Sequence, residues 1–285
     1  MLVPWNAAAL ATACLAALSL VMRRLRWHPA RVAAPFAWEA GVILGLYAVW
    51  QKAGDLAADH VAGAAGNALW VWRVERLMHF PSELTVQRWV LPFPLVVEAL
   101  NGVYAIVHVP ALIVFLIWLF VRHHDAYYRW RNVGALLTFA MLAIQVVPVA
   151  PPRLLPQLGF VDTAARYHES VYGGAGLRSA QVVAAMPSVH VGWAVFIAVA
   201  VVAVSRSRRR WLILVHPALT LFAVVATANH WWLDGIVAAA LVPLAVAVEA
   251  FARASWQRAR TPVGVPAPAP AHLPVAAGAG EVDPP

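Results

Sequence analysis

Cysteine occurs once in the 285 residues, at Cys14, so no intrachain disulfide and no cysteine-built metal cluster is possible. Lysine is almost absent: 20 of the 21 basic residues are arginine, a ratio that reports GC-rich coding rather than chemistry. Charge of either sign is scarce. Asp, Glu, Lys and Arg make up 12% of the chain, about half the share of a soluble domain, while 62% is hydrophobic. So few charges cannot cover the surface of a water-soluble globule of this length. A cytosolic enzyme and a nucleic-acid-binding module are excluded, and an integral membrane protein is implied.

What is abundant is the long apolar run. A bilayer core takes about 20 apolar residues per helix, and seven runs qualify: Leu2–Met22, Ala34–Gln51, Ala99–Val121, Val133–Ala150, Val189–Val204, Trp211–Ala228 and Leu233–Phe251. The expected fold is an all-α polytopic transmembrane helix bundle of about seven spans. The first run has its arginines after it, not before it, which favours a retained helix with its N-terminus outside over a signal peptide. The four short connectors Arg23–Arg31, Arg122–Arg131, Ser205–Arg210 and Arg253–Arg260 hold 14 of the 21 basic residues in 33 positions, and the long loops Lys52–Glu98 and Pro151–Pro187 hold the other seven in 84. With seven spans all four basic connectors fall on one side, which the positive-inside rule makes cytoplasmic. The net charge of +8 then reads as topology and contact with anionic lipid, and no nucleic-acid partner is expected.

Within the first long outer loop, Asn67–Phe80 places Trp70, Val71, Val74, Leu77 and Met78 at helical spacing with Arg73, Glu75 and Arg76 between them. That pattern predicts an amphipathic helix, either lying in the membrane interface or packed as a lid on the spans. The tail from Thr261 has seven prolines in 25 residues and no aromatic residue, a composition that predicts disorder. No internal repeat is present. Three regions follow: N-terminal transmembrane helices (1–65), a catalytic membrane domain (66–252), and a cytoplasmic basic segment with its tail (253–285).

Ionisable groups are costly in lipid, and those near span ends ask for a reason. They concentrate in Val147–Arg153 (VPVAPPR), Met186–Gly192 (MPSVHVG) and Asn229–Asp234 (NHWWLD). The topology drawn from loop charge puts all three at the extracytoplasmic face. His230 and Asp234, four apart, are expected to share a helix face, where the carboxylate holds one imidazole nitrogen and makes the other a better nucleophile. Pro187 suits a helix start and Ser188 an N-cap. The unpaired N–H groups of that helix start, close to His190, attract phosphate. Arg153 adds a bidentate grip on phosphate oxygens. Taken singly, each has a plainer reading: Ser188 as a cap only, His190 bonded to a carbonyl, His230 and Asp234 as a structural pair or half a metal site, Arg153 as a lipid anchor. Together they compose a phosphoryl-transfer site.

The segments PSVHVG and His230–Asp234 (HWWLD) resemble the second and third motifs of the type 2 phosphatidic acid phosphatase (PAP2) superfamily. With Pro151-Pro152-Arg153 they look most like its inositol-phosphorylceramide-synthase-like branch, a resemblance covering about residues 66–250. It implies that His230 is the nucleophile forming a phosphohistidine, that Asp234 orients it, that His190 protonates the leaving alcohol, and that Ser188 and Arg153 bind the phosphate. It implies no metal and no cofactor. The sequence departs from the family pattern at two cations: no Lys stands near Arg153, and Ala223 and Val224 occupy the places of a Ser-Arg pair before His230. Either Arg166 or Arg178 in the outer loop supplies a replacement, or the substrate is a phosphodiester, which carries less charge.

The expected function is therefore that of a lipid-phosphate phosphatase or phosphotransferase of the plasma membrane, with a lipid phosphate or phospholipid as substrate. Its active site would face outward and its C-terminus the cytoplasm. Transfer of a phospho-head group between lipids is the alternative. A transporter or scaffold is a third reading, against which stands the absence of internal repeats.

Overall fold

The computed structural model describes residues 4–25, 27–57, 63–168 and 183–260. The described chain is helical, and no β-strand occurs among these residues; Val149 and Ala184 form one isolated parallel bridge. Contacts divide the chain into two units, Met1–Glu249 and Ala250–Pro285.

Five helices are long and apolar enough to cross a membrane: Trp5–Arg24, His28–Lys52, Pro94–Arg122, Arg208–Ala226 and Trp232–Arg260. They mark the chain as a membrane protein. Two of the seven expected runs form helices that fall short of that standard. Val189–Val204 is apolar but has 16 residues, about 24 Å at 1.5 Å per residue. The run expected at Val133–Ala150 belongs to a helix over His124–Gln145 whose first turns carry Asp125, Arg129, Arg131 and Asn132.

The first two helices, α1 (Trp5–Arg24) and α2 (His28–Ala57), form a hairpin. Their close approach rests on small residues: a Cβ on Gly45 would stand 3.3 Å from Thr12 Cγ2, and the Ser19 hydroxyl donates to the Ala34 carbonyl at 2.7 Å. Next come α3 (Ala64–Leu77) and α4 (Glu83–Val90), then α5 (Pro94–Gly102), which runs through a wider π turn over Val103–Val107 into α6 (His108–Arg122). On α6, Val109, Ile113, Val114, Ile117 and Val121 are exposed while His108, Phe115 and Leu119 are buried. A bare apolar face of that length belongs in lipid.

Helix α7 (His124–Gln145) is tied to α2 through Glu39, which accepts from Arg131 Nη1 at 2.8 Å and from the Tyr127 hydroxyl at 3.0 Å. Beyond a short α8 (Thr163–Arg166) come α9 (Val189–Val204), α10 (Val215–Ala226) and α11 (Trp232–Arg260). The main core packs Phe115 and Leu119 of α6, Trp130, Leu137 and Met141 of α7, Phe196 and Ile197 of α9, and Ala238 and Val242 of α11. Helices α7, α9 and α11 meet closely at Gly192, where a Cβ would lie 2.6 Å from Met141 Sδ and 3.5 Å from Ala238 Cβ.

A second hydrophobic cluster is built from α3 and the loops. It joins Ala64, Ala68 and Val71 of α3 to Val149, Ala150, Leu155, Phe160, Val183, Ala185 and Trp231. A helix forms at the expected place, as α3, but it does not bury the expected apolar stripe: Ala64, Ala68, Val71 and Glu75 face inward, and Trp70, Leu77 and Met78 are exposed. Helix α4 was not anticipated. Its Gln87 side chain accepts from Val161 N and donates to Val161 O, fastening it to the loop after Arg153.

Candidate active site

The turn between α10 and α11 carries a dense polar group. His230 lies before α11 begins, not on it, so the sequence-based picture of two residues on one helical face needs correction. The Asp234 carboxylate folds back over the first turn of the helix: Oδ2 accepts from Trp231 N at 2.9 Å and meets His230 Nδ1 at 3.2 Å. The acid thus caps its own helix and touches the imidazole at once. The same Nδ1 lies 2.9 Å from the Ala185 carbonyl. Two oxygens around Nδ1 require the proton there, which leaves Nε2 with its lone pair.

The start of α9 is bonded directly to this turn. Ser188 N donates to the Asp234 carbonyl at 3.1 Å, and the Ser188 hydroxyl caps α9 by accepting from Val191 N at 3.4 Å. Both Ser188 and Asp234 are fully buried. The His190 and His230 rings are 5.7 Å apart, centroid to centroid. His190 is also packed between Tyr104 and His108, each 4.4 Å away, and its Nδ1 is buried without a hydrogen-bond partner among the described residues.

Arg153 is brought to the same place by its backbone and its side chain. Its N–H donates to the Ala228 carbonyl at 2.9 Å, and its Nε donates to Asn229 Oδ1 at 2.9 Å. Nη1 donates to Asp162 Oδ2 at 2.8 Å, and Asp162 Oδ1 accepts from Ala165 N as the N-cap of α8. Ala228, with φ of 54°, makes the turn in the left-handed region, a strained conformation for a residue with a Cβ, here set beside the polar group. Arg166 is exposed, its guanidinium lies over Tyr167, and it makes no hydrogen bond to this group among the described residues. Arg178 lies outside the described residues.

The turn is held from outside at three successive residues. Trp231 Nε1 donates to Ala150 O at 2.9 Å, Trp232 Nε1 to Pro81 O at 2.8 Å, and Leu233 N to Glu75 Oε1 at 2.7 Å. Sequence reasoning missed Glu75, Asp162, Tyr104 and the Ala185 carbonyl. The Asp162-Thr163 pair is a legible N-cap signal; the others carry no local signature. The His108 Nδ1 lies 3.2 Å from Tyr104 O, one turn back. Among the described residues no three His, Cys, Asp or Glu side chains converge as metal ligands.

Chemically, the arrangement offers an oriented imidazole, a second imidazole beside it, a capped helix N-terminus and a guanidinium, gathered around one buried turn. No curated protein and no solved structure matches the chain. The family model of the PAP2 superfamily matches residues 69–248, a stretch containing Arg153, Ser188, His190, His230 and Asp234, and the chain therefore belongs to the PAP2 superfamily.

Proposed function

We propose that the protein is a membrane lipid-phosphate phosphatase or phosphotransferase working through a phosphohistidine on His230. The observation that carries this reading is the double hold on His230 Nδ1 by Asp234 and the Ala185 carbonyl, which dedicates Nε2 to attack. In the first step Nε2 forms a bond to phosphorus as the P–O bond to the leaving alcohol breaks, and His190 gives that oxygen its proton. In the second step water, or the hydroxyl of an acceptor, attacks the phosphohistidine and gives its proton to His190, and the N–P bond breaks. Asp234 stabilises the charge that His230 gains in the first step. Ser188 at the start of α9 and Arg153 hold the phosphate oxygens.

Transfer of a phospho-head group, as in the inositol-phosphorylceramide-synthase-like branch, is the second reading. One contact favours it: Arg153 is already paired with Asp162 at 2.8 Å, so the site offers less positive charge than a dianionic monoester requires. The catalytic region is 66–252, in a seven-span topology with α7 and α9 as spans, the site facing outward and the C-terminus in the cytoplasm of a plasma-membrane protein. The exposed Trp70 and Leu77 of α3, with Met78 just after it, suit the membrane interface.

Purified protein is incubated with radiolabelled lipid phosphates and phosphodiester lipids, with and without inositol or other polyols. Free phosphate identifies the phosphatase and a new phosphodiester lipid the transferase. No product from any pair, with no labelled protein, overturns both.

A further inference from the structure

Glu75 and Glu83 are completely buried, yet neither belongs to the motifs of the site. Glu75 Oε1 accepts from Leu233 N at 2.7 Å, one residue before Asp234. This is a helix-capping bond delivered from another helix, and it fixes the start of α11 to α3. The remaining oxygen of Glu75, Oε2, and Oε1 of Glu83 are both buried without another donor among the described residues. Both carboxyls reach the same Arg76 guanidinium, and two such acceptors are satisfied only if they share a proton.

The charges around the pair say where that proton resides. Arg76 Nη2 donates to Glu83 Oε2 at 3.1 Å and lies 3.9 Å from Glu75 Oε2, so the guanidinium pairs with Glu83 and leaves Glu75 to carry the proton. Burial, the hydrogen bond to Glu83 and its negative charge push the Glu75 carboxyl up to about 9, against the opposing pull of the Leu233 bond; Asp234 adds repulsion from the α11 side. The groups facing Glu75 are therefore Glu83, Arg76, Asp234 and the Leu233 amide.

We propose that Glu75 is a positioning residue of the active site: in its neutral form, hydrogen-bonded to Glu83, it holds the start of α11 so that Asp234 and His230 keep their geometry. The catalytic part of this inference rests on the phosphohistidine reading above. The direction of the pH effect follows from linkage. The unfolded chain releases this proton near the ordinary carboxyl value of 4.5 and the folded chain keeps it to about 9. The contribution is complete below about 4.5 and is lost as pH rises towards about 9.

Glutamine is the neutral stand-in: its oxygen accepts from Leu233 N and its amide donates to Glu83, at every pH. The test compares full-length wild type, Glu75→Gln and Glu75→Ala in the same detergent from pH 5 to 10, by Tm and by kcat on a radiolabelled lipid phosphate. The wild-type Tm is expected to fall relative to that of Glu75→Gln between pH 5 and about 9, then to run parallel. Glu75→Gln keeps kcat within about twofold at pH 7 and outlasts the wild type above pH 9. Glu75→Ala loses about 10- to 100-fold in kcat with little change in KM, the effect of a misplaced catalytic group. A Tm difference between wild type and Glu75→Gln that does not vary with pH overturns the proposal. So does a Glu75→Gln protein that fails to fold or is as impaired as Glu75→Ala. Trapping of labelled phosphate on wild-type His230 is scored separately. Its absence sinks the phosphohistidine reading, while the Tm comparison still decides whether Glu75 holds the proton.

Discussion

Arg153 and Asp162 face each other at 2.8 Å beside the His230 turn, a guanidinium and a carboxylate from the same loop. The pair explains how this cation is kept buried beside the proposed phosphate site: Asp162 and Asn229 both accept from its guanidinium. It also fixes the plane of the guanidinium, which matters for a ligand with tetrahedral oxygens.

Arg153→Lys keeps the charge but cannot donate to Asn229, Asp162 and phosphate in a fork. The expected loss in kcat/KM is about 1.5–3 kcal/mol, the range for hydrogen bonds to charged groups. Asp162→Asn retains an N-cap for α8 and frees a positive charge, so it should improve turnover of phosphomonoesters relative to diesters. Steady-state kinetics on one substrate of each kind checks both; an Arg153→Lys protein with normal kinetics would leave Arg153 only the structural role of tying its loop to the Asn229 turn.

The parts of this site that could be read from sequence were those with short spacing: Pro187-Ser188 as a helix start, His190 two residues on, and His230 four before Asp234. Even there the local geometry differed, because Asp234 reaches His230 by folding over a helix end rather than along a helix face. Glu75 could not be found in this way. It meets Leu233 across 158 residues, and in its own helix it looked like one charge on the polar side of an amphipathic stripe. The π turn that sets Tyr104 and His108 beside His190 is likewise invisible in an unbroken apolar run. Helix positions were legible because apolar length is a one-dimensional property; membership of the second cluster depends on which loops return to the same end.

Gly192 tests the closeness of α7, α9 and α11. A methyl group there would stand 2.6 Å from Met141 Sδ, and Met141 is fully buried, so it can yield only by repacking the core. Gly192→Ala should destabilise by about 1–3 kcal/mol despite alanine's better helix propensity. Met141→Ala added to it should recover part of that loss, a non-additivity visible in thermal unfolding of the three variants.

The seven-span topology puts α4 outside and the Arg206–Arg210 segment inside. Cys14 is exposed and must be removed first. In a Cys14→Ser background, Thr85→Cys and Ser207→Cys both lie at exposed positions. An impermeant maleimide applied to intact cells should label Thr85→Cys and spare Ser207→Cys until the membrane is opened. The reverse pattern would place the site on the cytoplasmic face.

The last prediction separates the two histidines. His230 has Nδ1 held by Asp234 and the Ala185 carbonyl, whereas His190 lies 5.7 Å away among Tyr104 and His108, with no carboxylate bonded to it among the described residues. If His230 attacks and His190 protonates, substitution should differ in kind. His230→Ala removes both turnover and the acid-labile phosphoenzyme on every substrate. His190→Ala depends on what leaves. An aliphatic alkoxide needs a proton as it departs, so activity on a lipid phosphate should fall by about 10²- to 10⁴-fold, the usual worth of general acid catalysis. Nitrophenolate leaves unaided, so phosphoenzyme formation from a nitrophenyl phosphate ester should largely survive. Asp234→Asn should weaken both reactions alike: an amide can present its N–H to Nδ1 and so favour the wrong tautomer, and it no longer balances the charge that His230 gains. Acid-lability trapping and mass spectrometry locate the phosphate. Phosphate on His190, or equal impairment of His190→Ala with both leaving groups, would reverse the assignment.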